Sequence, residues 1–207
     1  MNPKEINLEK IYREADALLD GHFLLASGNH SSRYLQSAKV LEYPQKAALL
    51  TDALATMIRN AGIQVDTVCA PALGGVLAGY ELARSLEVRS IFVEKIEGGM
   101  ALRRGFEITP GEKIIICEDI ITTGGSALKA AKAIEAMGGE VVAFASLANR
   151  GFCKRVGGSN DAKPACALPE GTPLFALDDF TFEMYAPEAC PLCQEGTTKA
   201  IKPGSKG

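Results

Sequence analysis

Residues 113–117 contain three consecutive isoleucines, Ile114, Ile115 and Ile116, and this run constrains the fold more than any other feature of the sequence. Successive side chains of a strand point to opposite faces of its sheet, so an uninterrupted apolar run predicts a strand buried on both faces. Such strands are typical of parallel sheets that carry helices on both sides. The run therefore favours an α/β fold.

The remainder of the chain alternates between strand and helix patterns. Strands are predicted at residues 67–70, 90–93, 140–147 and 174–177, and helices at residues 43–60, 75–85 and 127–137. Residues 94–106 are charged and suggest a hairpin. Alternation of this kind predicts a mostly parallel central sheet flanked by helices. Ligands of such sheets bind beyond the carboxyl ends of the strands, which here means after Ala70, Val93, Cys117 and Leu147.

The chain ends have weaker patterns. Leu8, Ile11, Ala15 and Leu18 follow helical spacing, and we expect Gly21 to end that helix. Short strands are predicted at residues 23–26 and 33–36. We expect one domain over residues 1–207, in which residues 1–36 form a small N-terminal element, residues 157–172 a surface loop and residues 187–207 a tail.

Composition excludes several functions. The formal net charge of −3 argues against non-specific nucleic-acid binding, which requires clustered Lys and Arg. No apolar run approaches the roughly 20 residues of a membrane span. Residues 1–10 are polar and unlike a secretory signal. A cytoplasmic location is therefore expected.

The buried strand is followed by a turn whose composition suits phosphate. Gly124 and Gly125 allow close backbone approach, and Thr122, Thr123 and Ser126 offer hydroxyl donors. The next helix presents free N–H groups and the positive end of its dipole to an anion. The alternative is an ordinary strand-to-helix turn with a Thr or Ser cap.

Two adjacent acids, Glu118 and Asp119, precede that turn. Carboxylates beside a phosphate repel it unless they accept hydrogen bonds from sugar hydroxyls or share a magnesium ion with it. The pair therefore indicates a phosphorylated sugar as the ligand rather than bare phosphate.

With its two acids and the Thr-Thr-Gly-Gly-Ser turn, this segment resembles the phosphoribosyl diphosphate (PRPP) motif of type I phosphoribosyltransferases. Three other segments resemble orotate phosphoribosyltransferases within that family: Gly21-His22-Phe23 with Ser27, Gly28 and Ser31; Pro71-Ala72-Leu73-Gly74-Gly75; and Leu147-Ala148-Asn149-Arg150. The resemblance implies the type I fold with a small hood element at the N-terminus. It also implies transfer of phosphoribose from PRPP to orotate with Mg²⁺, in a homodimer.

The resemblance implies a role for each matching residue. Glu118 and Asp119 would contact the ribose hydroxyls, and Thr122 and Arg150 would contact orotate. Lys95 would assist the diphosphate, and the peptide between Ala72 and Leu73 would be cis. PRPP would bind along Ala72, Leu73, Gly74, Glu118, Asp119, Ile120, Ile121, Thr122, Thr123, Gly124, Gly125 and Ser126, with Mg²⁺ held mainly through PRPP itself.

Three positions depart from the family pattern. Family lysines are replaced by Ala26 and Gly74, and the loop after Glu94 lacks the usual lysines and histidine. Arg103 and Arg104 are candidates to replace them, because guanidinium groups bind phosphate well. The alternative is that both are solvated hairpin charges. His30 and Arg33 are weaker candidates for the site.

Two other functions remain open. A purine-base phosphoribosyltransferase would carry the same PRPP motif, although Arg150 favours the carboxylate of orotate. A non-enzymatic PRPP-binding regulator would need a basic surface or an added helical domain, which the acidic composition disfavours.

The cysteines allow more than one interpretation. Cys69 and Cys117 lie in apolar runs and are expected to be buried thiols. Cys190 and Cys193 form a CxxC near the C-terminus, and Cys153 and Cys166 could complete a four-ligand zinc site with them. Irregular spacing favours free reduced thiols over metal ligands.

Overall fold

Strand β6 (Lys113–Ile121) lies in the middle of a mostly parallel sheet, as the isoleucine run predicts. The computed structural model describes residues 5–25, 27–196 and 199–203. Strand order in the sheet is β5-β4-β3-β6-β7-β8, and every pairing is parallel except that of β4 with β5. The other strands are β3 (Thr67–Pro71), β4 (Arg89–Ile96), β5 (Gly99–Leu102), β7 (Glu140–Asn149) and β8 (Leu174–Asp179). The predicted α/β sheet is confirmed, including the hairpin formed by β4 and β5.

Helices cover both faces of this sheet. They are α3 (Pro44–Asn60), α4 (Gly75–Leu86) and α5 (Gly125–Glu135). Ile114 and Ile116 pack in one buried cluster with α5 residues such as Ala127 and Ile134. Ile115 is equally buried and points to the opposite face, because side chains alternate along a strand. The side chains of the consecutive isoleucines are thus buried on both faces of the sheet.

The described part of the chain divides into two compact units. The first contains Leu41–Phe180 together with the residues before Glu9, and the second contains Glu9–Val40 and the residues from Thr181 onward. One domain over residues 1–207 stays a prediction. Within the described segments, none of the helices combines the length and apolarity that crossing a membrane requires.

The prediction that the first helix reaches Leu18 and ends at Gly21 is wrong. Helix α1 covers Leu8–Glu14, and Asp16 then takes a left-handed backbone conformation with φ of 51°. Leu18 begins strand β1 (Leu18–Leu24), where it lies opposite Leu35 of β2 (His30–Leu35). Strand pairing outweighs the helical spacing of the apolar residues here. A short helix, α2 (Ala38–Leu41), follows β2.

The segment predicted to be a tail contains structure in its described part. A 3₁₀ turn covers Pro187–Ala189 and a short helix, α6, covers Pro191–Gln194. Tyr185 forms a bridge with His30, and Ile201 forms one with Phe23. Because both bridges join the segment to the β1–β2 pair, it is part of the second unit's architecture.

The cysteines separate into three groups. Cys69 and Cys117 are buried free thiols, as predicted, and burial raises the pKa of the Cys69 thiol to about 12. Cys153 and Cys166 form a disulfide, so the expectation of free thiols is wrong for this pair, as is the idea that they complete a site with Cys190 and Cys193. The disulfide ties the predicted surface loop to the end of β7, and Cys166 packs against the core.

Candidate active site

A cleft opens at the carboxyl ends of β3, β4 and β6, as predicted from the parallel sheet. One pocket of about 350 Å³ lies between the turn after β3, the β4–β5 hairpin and the start of α5. A second pocket of about 310 Å³ lies along the segment from Ile120 to Ser126. The two share Glu118, Ser126 and Lys129 as lining residues, so they form one continuous cleft.

The turn between β6 and α5 has the geometry of an anion site. Gly124 adopts a φ of 81°, a left-handed conformation that glycine enters without steric cost. Within the described residues, no side chain caps the N-terminus of α5. The first N–H groups of a helix have no partner inside it, so those of α5 are available where residues 122–126 line the pocket.

Residues of the predicted surface loop support this turn. The backbone N–H of Ala167 donates to the carbonyl of Thr123 at 2.7 Å. A Cβ atom on Gly124 would lie 2.5 Å from Cδ2 of Leu168, closer than real Cβ contacts allow. Residues 157–172 contain no helix or strand and none of them is buried, in agreement with the predicted surface loop, and residues 166–168 within it also pack against the phosphate turn.

The two acids lie within β6, which extends past Cys117 to Ile121. Burial, followed by the neighbouring Asp119 charge, raises the pKa of Glu118 to about 8. Burial likewise raises the pKa of Asp119 above its ordinary value. Two acids held together away from water favour their neutral forms. Hydroxyl donors or a cation beside them would shift both toward the carboxylate.

Glu118 should make the unliganded protein less stable as pH rises. Its pKa is higher in the folded than in the unfolded chain, so the folded state binds more protons between about pH 4.5 and pH 8. Across that window, the free energy of unfolding falls as pH increases. Glu118→Gln removes this titration and should be more stable than wild type by about 2 kcal/mol at pH 8.

Urea unfolding of both proteins at pH 5 and pH 8, without ligand, checks this difference. The free energy of unfolding of the variant, relative to that of wild type, should be larger at pH 8 than at pH 5. If the difference in unfolding free energy between the two proteins is the same at both pH values, the pKa of Glu118 is not raised.

The turn after β3 forms the opposite wall of the cleft. The peptide between Ala72 and Leu73 is cis, as the resemblance implies. A Cβ on Gly74 would lie 3.3 Å from Oδ1 of Asp119, and one on Gly75 would lie 2.8 Å from the carbonyl oxygen of Cys117. The glycines therefore allow this turn and the start of α4 to approach the acids closely.

Of the four predicted cations, Lys95 lines the cleft, whereas Arg103, Arg104 and Arg150 are not among its lining residues. Lys95 lines the larger pocket. Arg104 pairs with Glu94, with Nη2 2.6 Å from Oε1, and Nη1 of Arg103 lies 3.9 Å from the other oxygen of Glu94. This arrangement favours hairpin charges for Arg103 and Arg104, whereas their role in binding diphosphate stays a prediction.

Sequence reasoning missed Lys129. Its side chain lines both pockets from the second turn of α5. A usable signal was present, because Lys129 follows Gly125 by four residues and therefore lies on the helix face that continues the phosphate turn.

Arg150 lies immediately after β7 and is largely buried. Its backbone N–H donates to the carbonyl of Ile121, and its Nε donates to the carbonyl of Phe180 at 3.1 Å. Burial lowers the pKa of Arg150 to about 10, so the guanidinium stays charged at neutral pH. The backbone of Arg150 is thus bonded to the residue before Thr122, while its guanidinium contacts Phe180.

The remaining candidates lie in the second unit or outside the described residues. Arg33 pairs with Asp20 at 3.2 Å and lies over the ring of Phe182. His30 is buried beside His22. Ala26 lies outside the described residues.

Comparison with known proteins agrees with this geometry. The phosphoribosyl transferase domain family matches residues 36–163. A Sulfurovum sp. (strain NBC37-1) protein named orotate phosphoribosyltransferase is 81% identical over 202 residues, which cover 98% of this chain and 100% of that protein.

Solved structures share the fold at low sequence identity. The crystal structure of orotate phosphoribosyltransferase from Aeropyrum pernix aligns with a TM-score of 0.65 at 22% identity, covering 83% of this chain and 93% of that one. An adenine phosphoribosyltransferase from Thermoanaerobacter pseudethanolicus aligns with a TM-score of 0.57 at 22% identity, covering 72% and 88%. Since enzymes for different bases share this fold, the fold alone does not select the base.

Proposed function

Because this chain belongs to the phosphoribosyltransferase family and groups with its orotate phosphoribosyltransferases, we propose that it transfers the 5-phosphoribosyl group of PRPP to orotate. The products are orotidine 5′-phosphate and diphosphate. The observation that carries this function is the single cleft that joins the uncapped start of α5 to Glu118, with Asp119 next to it facing Gly74 of the opposite wall.

Each part of the cleft suits one part of PRPP. The terminal phosphate fits the turn of residues 122–126, where backbone N–H groups and hydroxyls converge. Ribose hydroxyls are the donors that Glu118 and Asp119 can accept from once ionised. The diphosphate then lies toward the larger pocket, within reach of Lys95 and Lys129 and the turn of residues 72–74.

The reaction is a substitution at ribose C1. A ring nitrogen of orotate, anionic after losing its proton to solvent, forms the new bond to C1 while the bond from C1 to the diphosphate oxygen breaks, and diphosphate leaves with that electron pair. The ring carbon gains positive charge at the transition state, as in glycoside chemistry. The chain's own contribution is to align the two substrates and to hold cations beside the departing diphosphate.

The two acids also fit magnesium, because Mg²⁺ prefers oxygen ligands and often binds through one or two carboxylates together with substrate phosphates. A cation beside Glu118 and Asp119 would favour the ionised forms that burial disfavours. When bound with PRPP, Mg²⁺ supplies charge neutralisation to the leaving group. We propose that it is held mainly through PRPP, with these carboxylates as the nearest protein groups.

Arg150 is assigned to the carboxylate of orotate. A buried guanidinium gains strongly from a paired anion, and a carboxylate can accept two parallel hydrogen bonds from it. Arg150→Ala should raise the KM for orotate by about 100-fold while changing the KM for PRPP by less than about threefold, since a charge-assisted pair is worth roughly 2–3 kcal/mol. Steady-state kinetics with each substrate varied in turn would reveal the split, and equal weakening of both would contradict the assignment.

A homodimer is proposed on the basis of an exposed apolar patch at the start of α4. Leu77 and Tyr80 are 54% and 62% exposed and lie three residues apart on one face of the helix, and Leu73, in the turn before it, is 85% exposed. Tyr80→Asp should convert particles of twice the 21.9 kDa chain mass into single chains. Light scattering after gel filtration measures this.

Met137→Asp is the matched control for that change, since Met137 is a 44% exposed apolar residue in the turn after α5, outside α4. Its particles should keep the doubled mass. If both variants and wild type have the same mass, α4 is not the interface.

The direct test of function mixes purified protein with Mg²⁺, PRPP and one base at a time, and follows diphosphate release. Orotate should react, with a matching loss of its absorbance, whereas adenine, hypoxanthine and uracil should not. Release with a purine alone would support the purine enzyme, and PRPP binding without turnover of any base would support a regulator. We place the reaction in the cytoplasm.

A further inference from the structure

Four side chains of the types that bind transition metals converge in the second unit. His22 lies in β1, His30 begins β2, Cys190 precedes α6 and Cys193 lies within it. One potential ligand atom from each lies within 4.8 Å of all the others. We propose that these four side chains bind one Zn²⁺ ion in a closed structural site, separate from the chemistry of the cleft.

The distances between ligand atoms match a tetrahedral site. Zinc bonds of about 2.3 Å to sulfur and 2.0–2.1 Å to nitrogen at tetrahedral angles place a sulfur about 3.6 Å from a nitrogen. Sγ of Cys190 lies 3.5 Å from Nε2 of His22, and Sγ of Cys193 lies 3.7 Å from that atom and 3.3 Å from Nδ1 of His30. The two imidazole nitrogens are 2.9 Å apart and need to separate by only about half an ångström.

Burial and chemistry both favour a metal here. His22, His30 and Cys190 are 5%, 8% and 0% exposed, and Cys193 lies at the surface edge of the cluster. Thiols are weak hydrogen-bond donors and acceptors, so sulfur contacts compensate poorly for burying two imidazoles. Two thiolates and two neutral imidazoles around Zn²⁺ have no net charge, which lowers the cost of burying the group. Mixed sulfur and nitrogen ligands at tetrahedral spacing are typical of zinc.

The ligand count and their positions indicate a structural role. Four protein ligands complete the coordination of zinc, whereas catalytic zinc keeps a position open for water or substrate. The site joins the β1–β2 pair to the C-terminal segment, across 168 positions between His22 and Cys190. A two-stranded sheet alone is marginally stable in water, so a metal cross-link would reinforce the two backbone bridges that join this sheet to the C-terminal segment.

Metal analysis tests the site directly. The full chain, purified under reducing conditions and loaded with Zn²⁺ without PRPP, should retain about one zinc per chain after gel filtration. Co²⁺ in place of zinc should give the intense visible bands of tetrahedral coordination and a thiolate charge-transfer band. Cys193→Ser should weaken zinc binding by at least about 100-fold, because losing a ligand exceeds the effect of disturbing its surroundings.

Two further variants make the result specific. His30→Gln should weaken binding similarly, whereas Cys69→Ala, which removes a buried thiol of the first unit, should keep stoichiometric zinc. For a variant that folds poorly, the cobalt spectrum of the wild-type protein still shows whether thiolates and a tetrahedral ligand set bind the metal. The proposal would be overturned if the wild-type protein retained no zinc under these conditions or retained a different metal instead. It would also be overturned if Cys69→Ala lost as much zinc as Cys193→Ser.

Hydrogen exchange shows where the metal acts. Chelation should speed exchange in peptides covering β1, β2 and α6, and should leave β6 unchanged. If chelation left the exchange rates of the β1, β2 and α6 peptides unchanged, the structural role would be overturned.

Discussion

Replacing Asp119 with asparagine should lower kcat/KM by about 100- to 1,000-fold, because a charge-assisted hydrogen bond to a ribose hydroxyl becomes a neutral one at the transition state. The fold should persist. Burial already disfavours the carboxylate of Asp119, so removing its charge does not remove a stabilising ion pair. Steady-state rates with saturating orotate and varied PRPP measure the loss.

Glu107→Gln is the matched control for Asp119→Asn, since Glu107 is an exposed acid outside β6 and outside the turn of residues 122–126. The control should keep wild-type kcat/KM. Near-normal turnover in Asp119→Asn would remove the acid pair from the mechanism and leave the cleft without its assigned sugar contacts.

Gly124→Ala should destabilise the protein by about 2–4 kcal/mol and abolish measurable PRPP binding, for two independent reasons. Its φ of 81° is costly for a residue with a Cβ, and that Cβ would lie 2.5 Å from Leu168. Relief of the contact requires the phosphate turn or residues 166–168 to shift. Urea unfolding and PRPP titration calorimetry measure the two effects.

Gly125→Ala separates these effects from a general intolerance of side chains in the turn. A Cβ at Gly125 would meet nothing nearer than Oγ1 of Thr123 at 3.9 Å, and the position lies inside α5. Its stability should equal that of wild type or exceed it slightly, since alanine favours helix. Equal destabilisation by both alanines would refute the account of Gly124.

Sequence was sufficient where the determining pattern was local. Three isoleucines predicted a strand buried on both faces, and the glycines that follow predicted the turn between β6 and α5, whose role as a sugar-phosphate site stays a prediction. Both predictions depend on residues within a few positions of one another, where strand alternation and helix-start chemistry apply directly. The extent of α1 was misjudged because strand pairing between Leu18 and Leu35 is a tertiary effect.

Contacts between distant segments could not be predicted. Leu168 packs under Gly124 from a loop whose composition suggested only surface. Cys153 and Cys166 are the cysteines nearest in sequence to Cys190 and Cys193, yet they form a disulfide with each other. The side chains that lie beside Cys190 and Cys193 are instead His22 and His30, from the other end of the chain. Contacts between distant segments depend on the topology of the fold, which the spacing of residues along the sequence does not reveal.

We propose that one cleft holds the terminal phosphate of PRPP at the start of α5 and the ribose at Glu118 and Asp119. The decisive measurement is a crystal structure of the protein with PRPP and Mg²⁺. We expect phosphate oxygens within hydrogen-bond distance of the backbone N–H groups of residues 123–126, and ribose hydroxyls on the two carboxylates. PRPP bound elsewhere, with that turn free of phosphate, would rule out this site.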